Sequence, residues 1–140
     1  MRYKYSLPSE IRSTVEWQLE HYPEDKRQLS SYKDDLIPSP TQAYSLTPGG
    51  GGASRTTENV AMRIASSPYL RRLEQSVAAI EYALSRADDI DRRLIELVYW
   101  RREYTVAGAG LRLGLSCSGA YKRLNKVLAA VALELGYVSA

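Results

Sequence analysis

Apolar residues recur every three or four positions along most of this chain, which is the period of an amphipathic α-helix. Before Pro23 they fall at intervals of four, beginning two residues after Ser9, a residue type that favours helix N-caps. Because proline suits the first turn of a helix, Pro23 is predicted to start a second helix that reaches Ile37. Residues 1–37 are therefore predicted to form an N-terminal helical hairpin that serves assembly or contact with a partner.

The helical pattern stops at residues 38–53. This stretch holds three prolines and the four consecutive glycines from Gly49 to Gly52, a composition that is typical of a flexible linker. A phosphate-binding loop would need a Gly-Lys-Ser/Thr sequence after the glycines, and none follows them. The linker is therefore predicted to separate the hairpin from a helical domain over residues 54–140.

Within that domain a stripe of apolar residues predicts an amphipathic helix after Pro68. Its members are Leu70, Leu73, Val77, Ile80 and Leu84. Three aspartates, Asp88, Asp89 and Asp91, then precede the next apolar run. Metal binding or acid catalysis would need a second, convergent set of ligands, which the sequence does not identify. The pattern favours a role in capping the N-terminus of the following helix.

The segment from about residue 105 to residue 135 has the most specific pattern. Thr105 can cap a short helix that ends before Gly114, whose freedom to adopt positive φ suits a tight turn. Ser116 can then cap a last helix that is apolar on one side and basic on the other. Gly110 suits the point where two such helices cross. Together these features predict a C-terminal helix-turn-helix whose last helix is the recognition helix.

Basic residues cluster in this segment, although the whole chain carries a formal net charge of only +3. Residues 99–126 hold six basic residues against one acidic residue, whereas residues 1–53 hold six basic and seven acidic residues. Five net positive charges indicate a polyanionic partner, although a solvated basic surface would have the same composition. The predicted DNA-binding residues are Ser118, Tyr121, Lys122, Arg123 and Lys126 on the last helix, with Arg101, Arg102 and Arg112 expected at the DNA backbone.

The C-terminal segment resembles a known DNA-binding module. The sequence from Ile90 to Trp100, followed by the turn and the helices after Thr105, is similar to region 4 of bacterial sigma factors. One interpretation is therefore a sigma-like promoter factor, which would bind core RNA polymerase stably.

The chain as a whole more closely resembles the RinA/ArpU-like family of phage transcriptional regulators. The shared features are the break at Tyr22-Pro23, the Pro/Gly linker, a middle helical segment and the final Glu134-Leu135-Gly136. This resemblance implies an activator of phage or prophage late genes that acts in the cytoplasm of a bacterial host. Gly110 and Ala120 depart from the family pattern, which usually has alanine and a larger aliphatic residue there, and both are expected to thin the core between the two helices.

The sequence therefore predicts an all-α protein that binds specific sequences of double-stranded DNA and regulates transcription. One helix-turn-helix buries little surface, so a homo-oligomer or help from bacterial RNA polymerase is expected. A small-terminase-like subunit for packaging phage DNA is an alternative, since it would also be helical and DNA-binding but would form a large ring.

Few residues are available for catalysis. With His21 as the only histidine, Cys117 as the only cysteine and no convergent acid pair, no catalytic residue, metal ligand or cofactor is expected, and the protein is predicted not to be an enzyme. A single cysteine excludes an intramolecular disulfide. The sequence has no signal-peptide pattern and no apolar run of membrane length, so a cytoplasmic protein without membrane contact is predicted.

Overall fold

The computed structural model of the chain describes residues 6–36 and 52–139, and every regular element in those residues is helical. In chain order the helices are α1 (Ser9–Leu36), α2 (Gly52–Ser66), α3 (Pro68–Ser85), α4 (Asp89–Ile95), α5 (Val106–Arg112) and α6 (Cys117–Glu134). A π-helical turn, Glu96–Trp100, directly continues α4. The predicted all-α fold class is confirmed. Among these residues, no helix combines the length and the apolar character that crossing a lipid bilayer requires.

Helix α1 is continuous over 28 residues, so the predicted hairpin with a break at Pro23 is wrong. Proline inside a helix costs about 3 kcal/mol, because it removes one backbone hydrogen bond and its ring crowds the preceding turn. Apolar residues on both sides of the proline are buried, Val15 and Leu19 before it and Leu29 after it. Each buried aliphatic side chain contributes about 1.5–3 kcal/mol, so packing outweighs the cost of the proline.

The predicted linker, residues 38–53, lies mostly outside the described residues. Its last two residues, Gly52 and Ala53, belong to the first turn of α2 instead.

The described residues divide into two compact units. The middle unit, within residues 24–75, contains the second part of α1, α2 and the start of α3. Its buried apolar residues are Leu29, Ile64, Leu70 and Leu73. The terminal unit contains the described residues up to 23 together with those from 76 onward, and it includes α4, α5 and α6.

In the terminal unit the first part of α1 shares a core with the C-terminal helices. Val15 and Leu19 are completely buried. So are residues of α4 and α6, namely Leu94, Ile95, Leu124, Leu128 and Val131. Arg12 also donates a hydrogen bond from Nη1 to Oδ1 of Asn125 on α6, over 2.6 Å. A division of the chain at residues 38–53 therefore does not separate the N-terminal residues from the helix-turn-helix.

The π-helical turn directs Tyr99 into the terminal unit. The amide of Arg101 donates to the carbonyl of Glu96 over 2.8 Å, five residues back instead of four. Tyr99 is only 3% exposed, and its hydroxyl donates to Oε2 of Glu16 over 2.8 Å. Burial, and then the hydrogen bond to Glu16, raise the pKa of Tyr99 far above its ordinary range. The hydroxyl therefore remains a hydrogen-bond donor throughout the physiological pH range.

Candidate nucleic-acid interface

Helices α5 and α6 each begin at a side-chain cap that the sequence pattern predicted. Oγ1 of Thr105 accepts a hydrogen bond from the amide of Gly108 over 3.1 Å. Oγ of Ser116 accepts from the amide of Gly119 over 3.0 Å. Each cap satisfies an amide that has no partner within its helix and contributes about 1 kcal/mol. The caps therefore determine where both helices start.

The turn between the two helices depends on Gly114, which adopts a φ of 78°. Other residues pay about 1–2 kcal/mol in this left-handed region, so the predicted role of the glycine is confirmed. The amide of Leu115 donates to the carbonyl of Gly110 over 2.7 Å, which closes the turn. The side chain of Leu115 packs against a buried cluster formed by Leu94, Leu97 and Ala109.

The two helices cross where Gly110 on α5 meets Ala120 on α6. Both residues are buried. A Cβ atom on Gly110 would lie 2.5 Å from Cβ of Ala120, much closer than two carbon atoms can approach without a clash. The expectation that these small residues thin the core is therefore wrong. The volume that larger side chains would need is already filled by the facing helix.

Helix α6 has one buried side and one exposed side. The buried side consists of Ala120, Leu124, Val127, Leu128, Val131 and Ala132. Lys122 and Lys126 are exposed, and neither forms an ion pair with any residue that the structure describes. Ser118 and Tyr121 are exposed nearer the N-terminus of the helix, and Tyr121 is 44% exposed. These four predicted contact residues are all accessible to a partner.

A groove of about 260 Å³ lies beside α6, along the C-terminal end of α3. Its walls include two exposed apolar side chains, Tyr82 and Leu133, and five charged ones, namely Arg86, Asp88, Asp91, Lys126 and Glu134. Lys122 does not line this groove. Lys126 therefore borders a groove that has both apolar and charged walls, whereas Lys122 lies outside it.

Arg123 lies at one edge of α6 and is bound by acids at the start of α4. Its Nη1 atom is 3.1 Å from Oδ1 of Asp91 and 3.6 Å from Oδ2 of Asp88. Asp91 is only 3% exposed, so the arginine compensates for the burial of its carboxylate. Asp88 occupies the N-cap position of α4 without a side-chain capping bond. The aspartates therefore lie at the N-terminus of α4 as predicted, with Asp89 and Asp91 in its first turn, but the carboxylates of Asp88 and Asp91 bind Arg123 and Asp88 forms no capping bond.

Asn125 lies at the opposite edge of α6 and is bound by α1. Its Oδ1 accepts from Nη1 of Arg12 over 2.6 Å, and Nε of Arg12 donates to Oε1 of Glu16 over 3.3 Å. The other carboxylate oxygen of Glu16 accepts the hydroxyl of Tyr99. A chain of hydrogen bonds thus joins Tyr99, Glu16, Arg12 and Asn125. Sequence reasoning missed Arg12 and Asn125, because no periodic signal connects residues 113 positions apart.

Arg101 and Arg102 follow the π-helical turn, and each lies near an acid. Nε of Arg101 is 3.9 Å from Oε1 of Glu103, and Nη2 of Arg102 is 3.3 Å from Oε2 of Glu20. Arg102 also adopts a φ of 56°, an unusual conformation for a residue other than glycine. Both arginines are exposed, and exposed ion pairs contribute at most about 1 kcal/mol. Either guanidinium could therefore exchange its carboxylate for a phosphate at little cost.

Arg112, the last residue of α5, is exposed beside Leu111. Its Cζ atom lies 5.7 Å from the centre of the Tyr104 ring, which is a cation–π distance. Arg112 forms no ion pair with any residue that the structure describes, so its N–H groups are available for an anion. The predicted backbone contact is thus sterically open at Arg112.

The described residues contain no group of three or more His, Cys, Asp or Glu side chains that is placed to hold a metal ion. His21 stacks on Trp17 at 4.0 Å between ring centres, and Nδ1 lies 2.8 Å from the carbonyl oxygen of Trp17. Cys117 is exposed at the first position of α6.

No protein-family model, curated protein or solved structure matches the chain.

Proposed function

We propose that this chain is a sequence-specific double-stranded DNA-binding regulator of transcription that places α6 in the major groove. The observation that carries the proposal is the exposed pair Lys122 and Lys126, without ion-pair partners among the described residues, on the second helix of a capped helix-turn-helix. An α-helix is about 10–12 Å wide with its side chains, and the major groove is about 12 Å wide. Ser118 and Tyr121 lie near the N-terminus of α6, the part of a recognition helix that contacts bases.

Phosphate contacts supply most of the affinity in this proposal. Lys122 and Lys126 contribute two cations from α6, and Arg112 contributes one from the end of α5. Arg101 and Arg102 add phosphate contacts after giving up weak surface ion pairs. Arg123 is the one predicted contact residue that we do not expect to bind phosphate. If it moved away from Asp91, a buried carboxylate would be left without its cation.

The step from DNA binding to regulation rests on the resemblance to the RinA/ArpU-like phage regulators. By that resemblance the protein activates phage or prophage late genes in the cytoplasm of a bacterial host. One helix-turn-helix buries too little surface for high specificity, so the protein acts as a homo-oligomer or together with RNA polymerase.

A salt titration of binding to a random-sequence 20-base-pair duplex tests the DNA contact. The wild-type chain is expected to bind, and Lys122→Ala with Lys126→Ala is expected to make the negative slope of log K against log salt shallower by about 1.8, or about 0.9 per lost phosphate contact. The matched control is Arg71→Ala with Arg72→Ala, which removes the same charge from two exposed side chains of α3 in the middle unit. An equal change of slope in both double variants would show that only net charge matters. An unchanged slope in Lys122→Ala with Lys126→Ala would exclude α6 as the contact surface.

A further inference from the structure

Helix α6 carries two side chains of the kinds that read a base pair through two hydrogen bonds. Arginine pairs in this way with guanine, and asparagine pairs with adenine. On α6 these residues are Arg123 and Asn125, one at each edge of the exposed side. Both are already bound within the terminal unit.

The ion pairs of Arg123 hold its side chain beside the acids of α4. Its Nη1 atom lies 3.1 Å from Asp91, whose side chain is almost completely buried, and 3.6 Å from Asp88. Moving the guanidinium to a guanine would leave the Asp91 carboxylate buried and unpaired. The loss of a partner by a buried charge costs more than one base contact returns.

Asn125 is held through the atom that adenine would need. Pairing with adenine requires Oδ1 to accept from the exocyclic amine, and Oδ1 already accepts from the charged Arg12 over 2.6 Å. Arg12 is itself oriented by Glu16, and Glu16 is oriented by the buried Tyr99. Charge-assisted hydrogen bonds are about twice as strong as neutral ones, so this chain of contacts competes well with a base.

We infer that base discrimination by α6 rests on Ser118 and Tyr121, and that Arg123 and Asn125 are positioning residues that orient the helix against α4 and α1. This inference rests on the proposed DNA-binding function. The Tyr121 ring can contact the methyl group of thymine, and the Ser118 hydroxyl can donate to or accept from a base edge.

Two conservative variants separate positioning from base reading. Arg123→Lys keeps a cation beside Asp91 but removes the planar fork that pairs with guanine. Asn125→Asp keeps an acceptor for Arg12 but removes the amide donor that adenine needs. Each full-length variant is used to select from a duplex pool with a randomised central segment, and its thermal melting is recorded beside that of the wild type.

Both positioning variants are expected to enrich the same sequence as the wild type. Ser118→Ala and Tyr121→Ala are each expected to lose about tenfold preference at one or more positions, the effect of one specific contact. Loss of a guanine preference in Arg123→Lys, or of an adenine preference in Asn125→Asp, with unchanged melting, would overturn the inference. So would a wild-type chain that binds duplex and enriches no sequence. A wild-type chain that retains no duplex even at low salt would instead remove the proposed function itself, and the inference with it.

Discussion

Gly110 and Ala120 meet at the crossing of α5 and α6, and a Cβ atom added to Gly110 would lie 2.5 Å from Cβ of Ala120. Neither atom belongs to a flexible side chain that could rotate away. The relative position of the two helices therefore depends on the absence of a side chain at residue 110.

Gly110→Ala is expected to destabilise the chain by up to about 2 kcal/mol, because overpacking at about 1–3 kcal/mol outweighs the gain of about 1 kcal/mol in helix propensity. The matched control is Gly108→Ala on the same helix, where the nearest atom to the new Cβ is Oγ1 of Thr105 at 3.3 Å. Urea denaturation of both variants measures the difference. If Gly110→Ala is as stable as Gly108→Ala, the helices do not meet as closely as described.

The ion pair between Arg123 and Asp91 predicts unequal costs for removing its two members. Arg123→Ala leaves a buried carboxylate without its cation and is expected to cost about 3–5 kcal/mol. Asp91→Asn leaves a partly exposed arginine that water can solvate, so it is expected to cost less. Adding Asp91→Asn to Arg123→Ala should recover part of the lost stability, as measured by a double-mutant cycle in urea. Strictly additive costs would show that the two residues do not interact.

Stability at high pH should depend on Tyr99. Its pKa is raised in the folded chain, whereas in the unfolded chain it ionises near the ordinary value of 10.0. The contribution of this group is therefore fully present below pH 10 and falls as the pH rises above that value, by about 1.4 kcal/mol per pH unit. Tyr99→Phe has no proton to lose and is expected to show a shallower decline between pH 10 and 11. Parallel profiles of unfolding free energy against pH in the two proteins would contradict this assignment.

The packing of α1 predicts that the C-terminal helices need the N-terminal residues. Leu19→Ala is expected to cost about 2–5 kcal/mol, as for other fully buried leucines. The matched control is Trp17→Ala two residues earlier, which should cost less because Trp17 is 54% exposed.

A fragment that begins at Ser54 lacks Val15 and Leu19 and should melt far below the full chain. A fragment that melts at the temperature of the full chain would show that the helix-turn-helix folds independently.

Local chemistry was sufficient to predict the helix-turn-helix. Thr105 and Ser116 each accept from an amide three residues ahead, and Gly114 acts through its own φ. The apolar residues of α6 recur every three or four positions, so their pattern is also of short range. Interactions of such short range are visible in the order of residues, so the caps, the turn and the buried side of α6 could all be predicted.

The break at Pro23 shows why local chemistry was insufficient in the N-terminal part. Proline disfavours a helix interior by an amount that depends only on its neighbours, so the sequence predicted two helices. The energy that keeps α1 continuous comes from the burial of Val15, Leu19 and Leu29, and burial depends on elements that are distant in sequence. Whether the cost of the proline or the gain from burial is larger is decided only by the tertiary structure.

For the same reason, the sequence predicted the exposed lysines of α6 but not the partners of Arg123 and Asn125. The helical period alone determined that Lys122 and Lys126 face outward, because a side chain's direction follows from its position in the helix. It could not determine that Arg123 meets Asp91, 32 residues away, or that Asn125 meets Arg12, 113 residues away. Which side chains remain free for a ligand depends on which residues packing brings to the edges of the helix, and only the tertiary structure decides that.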